Sequence, residues 1–209
     1  MALTALQGVL GPVRAAHLLR RATFGPTIEQ INQFSNLSAQ AAVSILFDEP
    51  TPDPVLPINP ETGQEWVISG VFGQELSDNG LKRELLRWLV GLSLDVDQPL
   101  SFNAREKIVF FLHSHFTTQA EKVGSSRALY FQNELFRQFA FDNNKPVEFN
   151  FKALIKKISI DNAMLIFLDG DQNLNGSPNE ITRESSWNCI PSDAALRGPS
   201  LAIWHKAIM

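Results

Sequence analysis

Apolar residues recur along this chain at helical spacing far more often than they alternate, and that periodicity predicts an all-α protein. Pro12 is placed to open a first helix that runs through His17 and Leu19 and ends near Gly25-Pro26, since proline suits a first turn and glycine a last one. Thr27 and Gln30 read as a capping box for a short helix carrying Ile28, Ile31 and Phe34 on one side. Ser38 starts another, with Val43, Leu46 and Phe47 inward. Five prolines fall between Pro50 and Pro60, which excludes helix and predicts an extended connector.

Beyond a loop rich in Gly, Ser and Asn, residues 81–94 place Leu81, Leu85, Trp88, Leu89 and Leu92 on one helical face. Asn103 followed by Glu106 marks the next N-terminus, and Ile108–Phe116 is apolar nearly all round, the signature of a central helix. Ser125–Ala140 predicts a long helix with Leu129, Phe136 and Ala140 on its stripe, Asn150–Ile158 a short one, and Asp161 caps a further apolar stretch ending at Leu168. Only Trp66–Phe72 could be a strand, or else a loop. The expected architecture is an irregular multi-helix bundle around one core. Its segments would be an N-terminal helical part (1–49), a connector and loop (50–77), a helical core (78–184) and an atypical tail (185–209).

Length and composition agree with that reading. A chain of 209 residues with 44% hydrophobic and 19% charged positions can bury about 70% of its unfolded surface without staples. The net charge of −4 gives no electrostatic footprint for nucleic acid, so none is expected as a partner. The single cysteine, Cys189, excludes an internal disulfide framework and every Cys-rich zinc motif. The longest apolar run, Ala163–Leu168, is far short of the roughly 18 residues of a membrane-spanning helix. No signal peptide is legible at the start, and polar residues after Arg20-Arg21 argue against a twin-arginine signal.

Several constellations could carry chemistry. His113 and His115 point about 200° apart on a regular helix, so one metal cannot take both without a local break; each fits either a hydrogen-bonded structural histidine or a site role. Asp169, Asp171, Asn173 and Glu180 fall at positions 1, 3, 5 and 12 of the calcium-loop template, which wants glycine where Leu174 stands. The competing reading makes Ser177, Pro178 and Glu180 a helix-opening capping box. Glu180 and Glu184 share one helical face with Arg183 beside them, a pairing suited to general acid/base work or, with an imidazole, to a divalent metal. No glycine-rich phosphate loop or nucleophile elbow is present.

The segments His17-Leu-Leu-Arg-Arg-Ala-Thr-Phe-Gly25, Arg105-Glu-Lys, His113-Ser-His115-Phe-Thr-Thr118, Leu168-Asp-Gly170, Asn173, Gly176, Pro178-Asn-Glu180 and Arg183-Glu184 occur in an order that resembles the bacterial family catalogued as domain of unknown function 1800, over about residues 14–184. The resemblance implies export, periplasmic or extracellular, and carries no assigned activity. Two departures stand out. Leu112 takes the place of a tryptophan the family tends to have before its paired histidines. After Glu184, where the family continues into an apolar helix and a long C-terminal half, Ser185–Pro191 breaks the helical pattern, so a truncated or frame-shifted end is expected, and with it a need for a protein partner or the missing half. Two functions follow as expectations: a binding or assembly component of an exported system, or a metal-dependent hydrolytic or redox enzyme in which His113 or His115 meets Glu180 or Glu184, with Arg183 orienting an anionic group.

Overall fold

A computed structural model describes residues 6–68, 77–140 and 150–172. The described residues are mostly helical, with nine α-helices and no sheet; extended pairing is confined to the isolated bridges Val9–Ser38 and Ile58–Glu65. The N-terminal helices are α1 (Gly11–Ala22), α2 (Ile28–Ser35) and α3 (Ala39–Phe47). After the connector come α4 (Asp78–Leu94), α5 (Leu100–His115), the short α6 (Ala120–Val123), α7 (Ser126–Phe139), α8 (Phe151–Ile158) and α9 (Asn162–Phe167), then a 3-10 turn, Gly170–Gln172.

The helix starts are written locally. Thr27 accepts from the Gln30 amide while the Gln30 side chain accepts from the Thr27 amide, completing the expected box. Ser38, Ser77, Ser125, Asn150 and Asp161 each accept a backbone N–H three residues on, satisfying donors that the first turn leaves open. Gly124 ends α6 in the left-handed region, φ 69°, a conformation that costs glycine little. It delivers the chain at once to the Ser125 cap.

One start differs from the sequence reading. Helix α5 begins at Leu100, not at Asn103, and Asn103 is already interior, its N–H bonded to the Pro99 carbonyl. Glu106 is not a capping residue because a buried arginine claims its carboxylate, as described below. The helix is also less uniformly central than its composition implies. Residues 101–106 are buried, polar ones included, whereas Phe110 and Phe111 are exposed.

The apolar interior forms three clusters joined through two helices. Leu10, Ala15, Leu19, Phe34, Ala42 and Leu46 close the N-terminal part around Ala104 of α5. Val109 and Leu112 of the same helix meet Phe116, Phe136, Ala140, Leu154, Ile158 and Met164. Leu129 and Tyr130, on α7 with Phe136, meet Trp66, Val67, Leu81, Leu85, Val123 and Ala163. Thus α5 and α7 tie the clusters together. Trp66 and Val67 are fully buried loop residues; the rest of the segment that could have been a strand, from 69 on, lies outside the described residues.

Candidate functional site

The two helices that share the clusters also share the buried charge. Arg105 and Arg137 are each 1% exposed and Glu106 5%, a degree of burial charged side chains reach only when paired. Arg137 Nε and Nη2 donate to the two oxygens of Glu106, each at 2.8 Å, in the bidentate fork that suits guanidinium and carboxylate. Its Nη1 donates to Glu134 at 2.9 Å and its Nη2 also to Asn133 at 2.9 Å. Although burial opposes a charge here, the bonds and charges of Glu106 and Glu134 outweigh it and hold the Arg137 pKa above its ordinary value. Burial has the upper hand at Arg105, whose pKa is lowered; guanidinium remains the charged form at neutral pH.

Arg105 faces the other way. Its Nε comes 3.6 Å from Glu106 and makes no hydrogen bond, while its terminal nitrogens donate to the carbonyls of Thr51, at 3.4 Å, and Pro52. A second polar chain crosses the same bundle: Thr118 Oγ1 donates to Gln132 Oε1 at 2.7 Å, and Gln132 Nε2 donates to Asp161 at 3.0 Å. Burial pushes the Asp161 carboxyl up, against the amides and the Gln132 side chain that favour its charged form.

The histidine pair divides as its spacing requires. His113 is half-buried, edge-on to Phe136 with ring centroids 5.9 Å apart. Its Nδ1 is sealed from solvent without a hydrogen-bond partner, and burial holds its pKa below the ordinary value. His115 is exposed, stacked at 6.2 Å on Phe111 and edge-on to Phe116. The two imidazoles therefore serve different surroundings. An orphaned buried nitrogen costs about 1–3 kcal/mol, so His113 holds a group free to accept or ligate.

Of the acidic loop, Asp169 is described: it stands at φ 53° and its carboxylate binds Lys122 of α6 at 2.8 Å. Asp171 lies in the 3-10 turn. Asn173, Glu180, Arg183 and Glu184 lie outside the described residues. Among the described residues no three His, Cys, Asp or Glu side chains gather as a metal-binding group, and no helix is long and apolar enough to cross a membrane.

The sequence reading missed Arg137, Asn133 and Gln132. Their signal was present: Asn133 and Arg137 fall among Leu129, Phe136 and Ala140 on the inward side of α7, and polar residues on a core stripe imply a buried network. Nothing among curated proteins or solved structures matches the chain. The segments from His17 through Arg105-Glu106 and His113–Thr118 to Asp169-Gly170 nonetheless converge on one helical frame, and the family model matches residues 17–181. The chain belongs to the family described as Protein of unknown function (DUF1800).

Proposed function

We infer that this domain is a binding or assembly component of an exported system. The observation that carries the reading is helix α4, which is apolar on two sides. Leu81 and Leu85 face the core, 1% and 3% exposed, while Leu86, Val90 and Leu94 form an i, i+4, i+8 row on the other side, 62%, 50% and 71% exposed. A solvated helix normally carries polar residues there. A continuous apolar row with arginines beside it, Arg83 and Arg87, is the form in which a helix presents anchors to a protein partner. Export comes from the family resemblance. The partner is another exported protein.

Proximity labelling in the native host tests this, with the wild-type chain compared to Leu86→Ser/Val90→Ser/Leu94→Ser. A set of exported proteins labelled by the wild type and lost in the variant is the expected result. Identical labelling by both would remove the reading.

The orphaned Nδ1 of His113 favours one alternative, a metal-dependent hydrolytic or redox enzyme in which His113 or His115 joins Glu180 or Glu184, with Arg183 orienting an anionic group. Metal analysis of the purified full chain beside His113→Ala and Glu184→Ala separates the two. Stoichiometric metal in the wild type that both substitutions abolish would favour the enzyme.

A further inference from the structure

The proline-bearing connector is more than a spacer. Residues 51–57 form neither helix nor strand, and α4 and α5 hold the segment from residue 50 by donating side-chain hydrogen bonds to its backbone carbonyls. Ser101 Oγ donates to the Pro50 carbonyl at 3.4 Å, Arg105 to those of Thr51 and Pro52, and the Trp88 indole N–H to that of Val55 at 2.8 Å. Asp53, 3.5 Å from Arg105, adds a charge contact with its side chain 92% exposed. Leu56 packs on the cluster around Trp66, and Pro57 is buried. The segment is thus held mainly through its carbonyl oxygens, while Val55 points to solvent, 76% exposed. Recognition of proline-rich peptides works in this way, because proline supplies acceptors, lacks the donor and is already extended before it binds.

The donors are also contacted from behind. Arg105 lies over the Phe102 ring at 5.5 Å and close to Glu106; Glu106 is forked by Arg137; Arg137 lies 5.6 Å over the Trp88 ring, which also packs 5.7 Å from Tyr130. A ring of contacts therefore runs from Arg105 through the buried ion pair to Trp88, and both ends of it aim at the connector. Donors backed by such contacts have less left to order when a ligand arrives.

We propose that the surface presenting the Trp88, Ser101 and Arg105 donors is a binding site for extended, proline-rich peptides, occupied in this state by residues 50–57 as an intramolecular ligand. Tethering sets the connector at an effective concentration in the millimolar range, so a free peptide competes only when the connector is weakened. Of α4 this surface uses Trp88, which packs on the cluster of Leu81 and Leu85, and not Leu86, Val90 or Leu94, so it stands apart from the partner face described above.

The test uses the full chain with residues 50–57 replaced by a Gly-Ser linker of equal length, and a fluorescent synthetic peptide with the sequence Pro50–Pro57. Fluorescence anisotropy should show saturable binding to the linker variant and none to the wild type at peptide concentrations well below the millimolar effective concentration of the tethered segment. Adding Trp88→Phe to the linker variant should weaken binding by about fivefold, the loss of one hydrogen bond. A peptide with glycine at every proline should bind about tenfold more weakly, because its extended form is no longer preset. Absence of binding to a linker variant that keeps its helical circular dichroism would overturn the proposal, as would equal binding of the glycine peptide. If the linker variant does not fold, Pro52→Gly/Pro54→Gly in the full chain replaces it as the weakened form. Failure of both to fold would show a brace that the protein cannot release, and the proposal would fall.

Discussion

Glu106→Gln removes one negative charge from a place where two guanidinium groups depend on it. Glu106 is 5% exposed and takes two hydrogen bonds at 2.8 Å from Arg137, with Arg105 Nε 3.6 Å away. Glutamine keeps the shape but can accept at only one atom, and its amide turns a donor toward a donor. Breaking a buried pair by removing one partner costs about 3–5 kcal/mol, and Arg137 would keep only its bonds to Glu134 and Asn133. For a domain of this size about 1 kcal/mol moves the melting midpoint by 2–4 °C, so a fall of about 6–20 °C is expected. Glu134→Gln is the internal control. That carboxylate is 31% exposed and binds one nitrogen of the same arginine, so its loss should cost no more than about 1 kcal/mol. Calorimetry of wild type, Glu106→Gln, Glu134→Gln and Glu106→Gln/Arg137→Met decides it. The double variant should melt above Glu106→Gln, since an apolar side chain replaces the stranded cation. The deficit of Glu106→Gln should persist in 0.5 M salt, as roughly expected of a pair closed to ions. A Glu106→Gln midpoint within a degree or two of wild type, or a deficit erased by salt, would refute the reasoning.

Three further outcomes follow from the same structure. Thr118→Val removes the 2.7 Å bond to Gln132 and leaves a buried amide oxygen unpaired, a loss of about 1–3 kcal/mol readable by urea denaturation. Asp161→Ala takes away both the cap on the Met164 amide and the acceptor of Gln132; a similar loss of about 1–3 kcal/mol is expected. His113→Phe breaks no hydrogen bond and should change the pH dependence of stability. Burial lowers the His113 pKa in the fold, so the unfolded chain binds this proton first, and the fold loses stability as pH drops below the unfolded value of about 6.5. The slope from this group is at most about 1.4 kcal/mol per pH unit and should vanish in the variant. Denaturation series from pH 7.5 to about 5 would show it, and an unchanged difference between the two proteins across that range would count against a buried neutral imidazole.

How much of this was legible in the sequence follows from the range of each signal. Local signals were read well: the Thr27 box, the helix starts at Ser38, Ser125 and Asn150, the Asp161 cap, and the break imposed by prolines 50–60 all depend on residues a few positions apart. The start of α5 was misplaced because Asn103 and Glu106 have capping spacing, while the tertiary partner that takes Glu106 away lies 31 residues on. The outward Phe110 and Phe111 escaped for a related reason, since an apolar residue does not state which side of a helix is covered. The histidine spacing separated the imidazoles correctly, and it could not show that His113 turns to Phe136 and His115 to solvent. Short elements without amphipathic length, α6 and the 3-10 turn, left no periodic trace. The meeting of the connector with Ser101, Arg105 and Trp88 joins residues 33–54 positions apart, beyond any local pattern.

Helices α5 and α7 are clasped by a buried, bidentate Glu106–Arg137 pair that also contacts Arg105 and Trp88. The most direct measurement is nuclear magnetic resonance of the guanidinium Nε–H groups at neutral pH, where an exposed arginine exchanges its protons with water too fast to be seen well. A persistent, slowly exchanging Arg137 Nε–H signal, hydrogen-bond coupled to Glu106 and lost in Glu106→Gln, is the result this structure requires. An Arg137 signal that exchanges as fast as that of exposed Arg14 would contradict it.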